Sequence, residues 1–138
     1  MLGRNLKYIT GQYIESVALS DGVESGMLAS FRVSQPGFYL VLVKYTLRIS
    51  ITAVSYARGG IKIKKNSSTV VVGGDGLENH WDGGATTTGD IDCTTSKHTF
   101  MYMEAGDTID ITGTITRTGG TVTAYTIFQI YFSVFRVE

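Results

Sequence analysis

The sequence has very little cysteine and proline, the residues that most often staple or interrupt a small fold. Cys93 is the only cysteine among the 138 residues, so no disulfide can form within the chain, and Pro36 is the only proline. A chain of this length buries about 70% of its unfolded surface, so it needs neither a disulfide nor a metal ion to fold. We therefore expect a domain stabilised by an apolar core, with no cofactor.

An excess of charge of one sign is also missing, because 12 basic residues balance 12 acidic ones. Nucleic-acid binding depends on a positive surface that releases phosphate counterions, so we expect no nucleic-acid partner. The first seven residues include no apolar run of the length of a signal peptide, and we expect a chain made inside a cell.

One uncharged stretch, residues 118–135, approaches the length of a membrane span but lacks its composition. A membrane helix needs about 20 mostly apolar residues, whereas Thr, Gly, Gln and Ser are scattered through this stretch. Its β-branched and aromatic residues favour a long buried strand. We therefore expect a soluble protein with no membrane partner.

Helical periodicity is nearly absent, and alternation of apolar and polar residues predicts strands instead. In residues 108–115, for example, the isoleucines fall on one face and the polar residues on the other. The predicted strands are residues 27–34, 38–48, 50–57, 60–65, 69–73, 86–94, 98–103, 108–116 and 121–136. So many closely spaced strands predict an all-β sandwich or barrel.

Turn residues and irregular segments divide the chain further. Asn66-Ser67-Ser68 is expected to close a hairpin, and Gly59-Gly60 to break the long apolar stretch before it. Residues 73–85 form the longest predicted loop. Residues 1–22 lack a clean period and are interpreted as an arm or as edge strands, so we place an N-terminal arm at 1–22 and the sandwich domain at 23–138.

The last predicted strand carries apolar side chains on both of its faces. One face is sufficient for a core and consists of Phe128, Ile130, Phe132 and Val134. The opposite face is also largely apolar and consists of Tyr125, Ile127, Gln129, Tyr131, Ser133 and Phe135. A sandwich that stands alone turns a more polar face to water. The second face is therefore covered by another part of the chain or buried between subunits, and the pattern alone leaves both open.

Three segments resemble the jelly-roll domains of complement globular heads and tumour necrosis factor. Residues 25–41, SGMLASFRVSQPGFYLV, resemble the family's opening segment, G-x-F-x-V-x-x-P-G-x-Y-x-F. Residues 100–109, FMYMEAGDTI, resemble its L-x-L-x-x-G-D-x-V, and residues 126–135 resemble its last, apolar strand. The resemblance covers residues 25–138 in the same order and spacing.

Members of this family are compact trimers whose inner sheets pack around a threefold axis. The resemblance therefore implies a jelly-roll β-sandwich whose C-terminal strand lines a threefold trimer interface. The residues implied at that interface are Tyr125, Ile127, Gln129, Tyr131 and Phe135. No catalytic residue is carried over to this chain, and we expect no enzyme activity.

The family's L-x-L motif also predicts an orientation for residues 100–103. Aligned with that motif, Met101 and Met103 should face the core. By strand alternation, Phe100 and Tyr102 should then point away from it.

The acidic, histidine and tryptophan residues most suited to metal binding or partner contact lie in the predicted loop 73–85. Their spacing matches no calcium loop or zinc pattern, so we expect no metal ion. One interpretation is an exposed loop whose Trp81 packs on its own domain. The other is a partner-contact loop formed by Asp75, His80, Trp81 and Asp82, since tryptophan is enriched at binding hot spots.

A second cluster places Asp90 and Asp92 beside Cys93, with His98 nearby in the sequence. A catalytic Cys–His pair would need an orienting partner and an oxyanion donor, and the sequence offers neither. Cys93 is therefore interpreted as a small buried side chain.

The lysines at 62, 64 and 65 form a basic row on one predicted hairpin. Charge in this position usually solvates an exposed strand and blocks edge pairing. An acidic partner is the alternative.

Jelly rolls of this family also occur in bacteriophage particles, as trimers that decorate the capsid or as tips of fibres. The sequence shows no collagen-like, coiled-coil or membrane stalk, which favours the virion. We expect a capsid decoration (cement) protein, a homotrimer on the outer surface of the virion that bridges subunits of the major capsid protein by avidity. The arm 1–22 would reach along the capsid. The alternative is the receptor-binding tip domain of a tail fibre or spike, which would grip a cell-surface glycan.

Overall fold

Strands make up nearly all of the part of the chain that the structure describes. The computed structural model describes the backbone of residues 5–20, 22–72, 79–118 and 121–138, and the side chains of residues 5–20, 22–48, 50, 59–69, 71, 92, 94–116 and 126–138. The strands are β1 (Leu6–Ala18), β2 (Ala29–Arg32), β3 (Gly37–Lys65), β4 (Thr69–Val72), β5 (Asn79–Met103), β6 (Thr108–Thr118) and β7 (Thr121–Val137). Within the described ranges, no helix is long and apolar enough to cross a membrane.

Two antiparallel sheets form a sandwich, and the long strands β3 and β5 each contribute to both. In the front sheet, β1 pairs with β7, β7 with the first half of β3, and the first half of β3 with the second half of β5. In the back sheet, β2 pairs with β6, and β6 with residues 56–65 of β3. The second half of β3 also pairs with β4 and with the start of β5. This all-β sandwich with jelly-roll connectivity confirms the predicted fold class.

The core lies between the sheets and is built from alternate positions of each strand. The first half of β3 contributes Tyr39, Val41, Val43, Tyr45 and Leu47. The back sheet contributes Ile61, Ile63, Ile109, Ile111 and Ile115. Because consecutive side chains of a strand point to opposite faces, the residues between these positions face outward.

β3 and β5 are longer than predicted, because each joins segments that the sequence pattern separates. The predicted breaks near residues 49 and 58–59 fall inside β3, and the break at 95–97 falls inside β5. Gly59 and Gly60 do not end the strand. A Cβ at Gly59 would lie 2.5 Å from the Thr114 carbonyl oxygen of β6, and a Cβ at Gly60 would collide with the Tyr45 hydroxyl. The glycines therefore permit close packing within the sandwich.

The N-terminal segment includes an edge strand of the front sheet, which is one of the two interpretations that the sequence leaves open for residues 1–22. The division into an arm 1–22 and a sandwich 23–138 stays a prediction. β1 pairs with β7 along its whole length, from Leu6 opposite Val137 to Ala18 opposite Thr126. Leu19, which follows β1, belongs to the core. The sequence pattern is weak here because the register shifts within β1 and because an edge strand leaves most of its side chains exposed.

A buried carboxylate ties the turn between β3 and β4 to β6. Asp110 is 2% exposed and accepts a hydrogen bond from the Ser30 hydroxyl at 2.6 Å. The backbone N–H and the hydroxyl of Ser67 donate to it at 2.9 Å, and the Thr108 hydroxyl donates at 3.0 Å. Burial raises the pKa of Asp110, but the hydrogen bonds outweigh this effect and hold the pKa below its ordinary value. Ser67 has a φ of 62°, so the carboxylate also stabilises a left-handed turn.

The orientation of residues 100–103 confirms the alternation predicted for them. Met103 is fully buried and Met101 is half-buried against the core, whereas Phe100 and Tyr102 are exposed. We expect Met103→Ala to destabilise the protein by about 2–5 kcal/mol, because it leaves a cavity in the core. Urea unfolding at a fixed protein concentration measures this loss. Met101→Ala is the matched control and should cost less, because Met101 is only half-buried; a loss below about 0.5 kcal/mol for Met103→Ala would show that the register is inverted.

We expect the sandwich to lose stability in acid. A carboxylate whose pKa is lowered by folding stabilises the native state above its unfolded pKa of about 4, and this contribution is lost as the pH falls through the folded pKa. The pKa values of Glu24 and Asp107 are lowered in the same direction as that of Asp110. Urea unfolding of the wild type should therefore show a falling midpoint below about pH 4.

The variant Asp110→Asn isolates the buried carboxylate. At pH 7 it should be about 1–3 kcal/mol less stable than the wild type, because the amide NH2 would face hydroxyl and N–H donors. The difference should narrow as the pH falls, since the wild type loses the same charge by protonation. Glu104→Gln, at an exposed position, is the control and should change little at any pH. A difference for Asp110→Asn that stays constant from pH 7 to pH 3 would contradict the assigned role.

Candidate oligomer interface

The outer face of the front sheet, turned away from the core, carries most of the exposed large apolar side chains. Their relative exposure ranges from 38% for Leu42 to 59% for Tyr8. We call this surface the aromatic face, and its exposed members are Leu6, Tyr8, Tyr13, Phe38, Leu42, Phe100, Tyr102 and Tyr131. Elsewhere in the described part of the chain, the exposed large apolar side chains are Val23 and Met27.

Strand register explains why these side chains share one face. In the first half of β3 the odd-numbered positions are buried, so Phe38 points the opposite way. Phe38 lies opposite Tyr102 of β5, and Tyr131 of β7 lies opposite Tyr13 of β1. All strands of the front sheet thus contribute aromatic residues to a single surface.

The rings on this surface pack against one another across strands. The ring of Phe38 stacks on that of Phe100, with centroids 5.4 Å apart and an interplanar angle of 4°. Phe38 also meets Tyr102 edge-on at 5.4 Å, and the rings of Tyr13 and Tyr131 are 4.9 Å apart. These pairs orient the rings but leave much of each exposed. Monomeric soluble proteins rarely expose a large continuous apolar patch.

Near Arg48, where the first half of β3 ends, the outer face of the front sheet is polar. Arg48 donates two hydrogen bonds to Asp92, from Nε to Oδ1 and from Nη2 to Oδ2, both at 2.7 Å. The hydrogen bonding and charge of Arg48 hold the pKa of Asp92 below its ordinary value. The guanidinium carbon also lies 5.1 Å from the centroid of the Phe128 ring. Aromatic residues and arginine are both enriched at protein interfaces.

A β-bulge in β7 decides which of its side chains reach the aromatic face. Lys44 of β3 lies opposite Tyr131, whereas Thr46 lies opposite Phe128, so β7 has one extra residue between the two pairs. Gln129 has a φ of 51° at this irregularity. The alternation of inward and outward positions therefore reverses on the N-terminal side of the bulge.

The bulge separates the predicted interface residues into different groups. Gln129 and Tyr131 are exposed, and Phe135 is half-buried with its ring 5.7 Å from that of Tyr8. Ile127 is fully buried in the core, so its predicted place at the interface is wrong, because the sequence pattern gives no sign of the bulge. The side chain of Tyr125 lies outside the described residues.

The predicted loop 73–85 is partly strand. β5 begins at Asn79, and His80, Trp81 and Asp82 lie opposite Arg58, Ala57 and Tyr56 of β3. The loop prediction is wrong for residues 79–85, because pairing with a neighbouring strand overrides the low strand propensity of Asn, Asp and Gly. Asp75 lies outside the described residues. A partner-contact role for His80, Trp81 and Asp82 stays a prediction.

Cys93 and His98 are not placed as a nucleophile and its base. Cys93 lies opposite Leu47 and His98 opposite Leu42, so the two occupy positions of opposite alternation on one strand. Five residues along a strand span about 17 Å. Among the described residues, no group of three His, Cys, Asp or Glu is placed to hold a metal ion.

The basic row at residues 62–65 is paired within the chain. Lys62 and Lys64 both pair with Glu24, with Nζ of Lys62 3.5 Å from the carboxylate. Nζ of Lys65 lies 3.2 Å from Asp107. Burial raises the pKa of Glu24, but hydrogen bonds and the lysine charges outweigh this effect and lower it. These internal pairs leave the row little free charge for an acidic partner.

The sequence pattern identifies Tyr131 but not most of the aromatic face. The signal was present in residues 38–47, where apolar residues occupy both odd and even positions. That is the same two-faced pattern that marks the last strand. The sequence predicts that Phe100 and Tyr102 point away from the core, but it does not show that they meet Phe38 across the sheet.

The sequence matches no protein-family profile and no curated protein. The structure is similar to the solved structure of Eiger TNF from S. frugiperda, with a TM-score of 0.55 and 12% sequence identity. The match covers 96% of this chain and 94% of that chain. At this identity the likeness concerns the fold alone. Together with the sheet connectivity, it shows that the chain has a tumour-necrosis-factor-like jelly-roll fold.

Proposed function

We propose that the protein is a homotrimer in which three aromatic faces pack around a threefold axis. The observation that carries this proposal is the concentration of half-exposed aromatic side chains on the front sheet. A half-exposed aromatic side chain presents on the order of 100 Å², so the face amounts to roughly 700 Å². A standard interface buries about 800 Å² on each partner. In a trimer each protomer divides this face between two contacts, and somewhat more than half of an interface is apolar, so the aromatic face supplies much of the apolar area that the two contacts need.

The resemblance of the sequence to trimeric jelly rolls supports a threefold arrangement over a twofold one. The position of the chain ends is compatible with it. Leu6 of β1 lies opposite Val137 of β7, and the Glu138 N–H donates to the Asn5 carbonyl at 3.0 Å. In a threefold assembly, all three pairs of ends would emerge at the same end of the trimer.

We further propose that the trimer is a bacteriophage capsid decoration protein on the outer surface of the virion. Three identical contacts with subunits of the major capsid protein would act together, so avidity would clamp neighbouring subunits of the shell. An apolar, aromatic surface supports a role in protein contact rather than in catalysis. Because β1 belongs to the front sheet, removing it would damage the sandwich. Attachment is therefore better tested with substitutions than with truncation.

The second candidate is the receptor-binding tip of a tail fibre or spike, with a cell-surface glycan as its ligand. The observation that favours it is the position of Trp81 on β5, where β5 pairs with β3 in the back sheet. The proposed trimer buries the outer face of the front sheet, not the back sheet. Aromatic side chains of this size supply large contact areas in binding sites.

We expect the intact protein to have three times the 15.0 kDa protomer mass in solution. Multi-angle light scattering at micromolar concentration measures this directly. A 15.0 kDa species throughout that range would contradict the trimer.

Phe100→Asp should dissociate the trimer, because it would bury a charge without a partner. Met27→Asp is the matched control, since Met27 is 57% exposed and Phe100 55%, but only Phe100 lies on the aromatic face. The control should remain trimeric. Dissociation of both variants, or of neither, would show that the aromatic face is not the interface.

Binding to undecorated capsids and to host cells separates the two candidate functions. A decoration protein should coat capsids, bind them much more weakly as Phe100→Asp because avidity is lost, and bind normally as Trp81→Ala. A fibre tip should coat cells and lose that binding as Trp81→Ala. Co-sedimentation of labelled protein with capsids or with cells measures both kinds of binding. Wild-type protein that coats cells and ignores capsids would contradict the decoration role.

A further inference from the structure

Lys44, on the outer face of the front sheet, differs from the other lysines of the chain in its partners. Lys7, Lys62, Lys64 and Lys65 each pair with a carboxylate, and Lys97 donates to the Ile61 carbonyl. Among the side chains that the structure describes, no carboxylate pairs with Lys44. Its register neighbours are Tyr131 of β7 and Ser96 of β5. An exposed, uncompensated ammonium thus lies among the strands that form the aromatic face.

A depression of about 290 Å³ lies beside Lys44. The residues on the outer face that line it are Leu42, Lys44, Ser96, His98, Tyr131 and Ser133. Its polar side chains are an ammonium, an imidazole and three hydroxyls, all of which can donate hydrogen bonds. None of its lining residues carries a carboxylate. This donor-rich lining has the chemistry of an anion site rather than a cation site.

Formation of the proposed trimer would be electrostatically unfavourable at this depression. Packing of the aromatic faces would remove Lys44 from water, and a buried ammonium is unfavourable unless an opposite charge accompanies it. A neighbouring copy that covers the depression also lowers the local dielectric, which strengthens the attraction between the ammonium and an anion. A counter-ion in the depression would therefore stabilise the trimer.

We propose that this depression binds a small oxyanion, such as inorganic phosphate, enclosed between subunits of the trimer. Lys44 supplies the counter-charge, and the hydroxyls of Ser96 and Tyr131 with the His98 ring supply hydrogen bonds. The volume lies at the low end of ligand pockets, which suits a small ion and its water better than a nucleotide or an oligosaccharide. This inference rests on the trimer proposed above and adds a ligand to its interface.

The test is phosphate titrated into the trimer of the 138-residue chain at constant ionic strength, with chloride as the balancing ion. Subunit exchange between two fluorescently labelled populations reports trimer stability. A ligand at ten times its dissociation constant stabilises its site about tenfold, so saturating phosphate should slow exchange by at least that factor. Lys44→Met removes the charge at similar side-chain length. Its trimer should form without phosphate and should show no response to it.

Lys7→Met is the matched control, since it removes the same charge from a lysine whose side chain is 62% exposed and lies outside the depression. It should respond to phosphate as the wild type does. An equal response in Lys44→Met and wild type, no response in a wild-type trimer, or an equal effect of chloride would each overturn the anion site. The mass measured in the same samples distinguishes these results from failure of the trimer, in which the wild type would be monomeric.

Discussion

Large apolar side chains occupy both faces of the front sheet, and the rest of the architecture depends on how each face is covered. In the first half of β3, odd-numbered positions such as Tyr39 and Val43 form half of the core, while Phe38 and Leu42 lie on the outer side. Burial of the inner set stabilises the protomer by removing apolar surface from water. The outer set contributes in the same way only when a partner covers it. In the proposed trimer, the protomer is therefore one part of a larger core whose remainder other copies supply.

Polar interactions also differ between the back sheet and the outer face of the front sheet. Several charged groups of the back sheet and its turns are compensated within the chain, as Glu24 is by two lysines and Asp110 by hydroxyl and N–H donors. On the outer face of the front sheet, Arg48 and Asp92 compensate each other. Lys44 is the cation there for which the described side chains provide no carboxylate. The proposed trimer interface thus combines apolar surface with one charge that needs an external partner.

The sequence predicts most of the fold because alternation in a strand is a direct consequence of backbone geometry. Met101 and Met103 face the core, as this rule requires. The alternation rule fails where the backbone geometry changes and no residue pattern in the sequence marks the change. The bulge at Gln129 reverses the pattern, so Ile127 faces the core instead of the interface. Residues 79–82 are held in a strand by pairing with β3, and β1 is recognisable only through its pairing with β7.

The most direct test of the account is the solvent accessibility of the aromatic face in the intact protein. Hydroxyl-radical footprinting measures the reactivity of individual side chains across a dilution series. At micromolar concentration, Phe100, Tyr102 and Tyr131 should be protected, and they should become reactive on dilution, while the exposed Met27 stays reactive throughout. Equal reactivity of the aromatic residues at all concentrations, at the level that their exposure in the protomer predicts, would contradict burial of this face between copies.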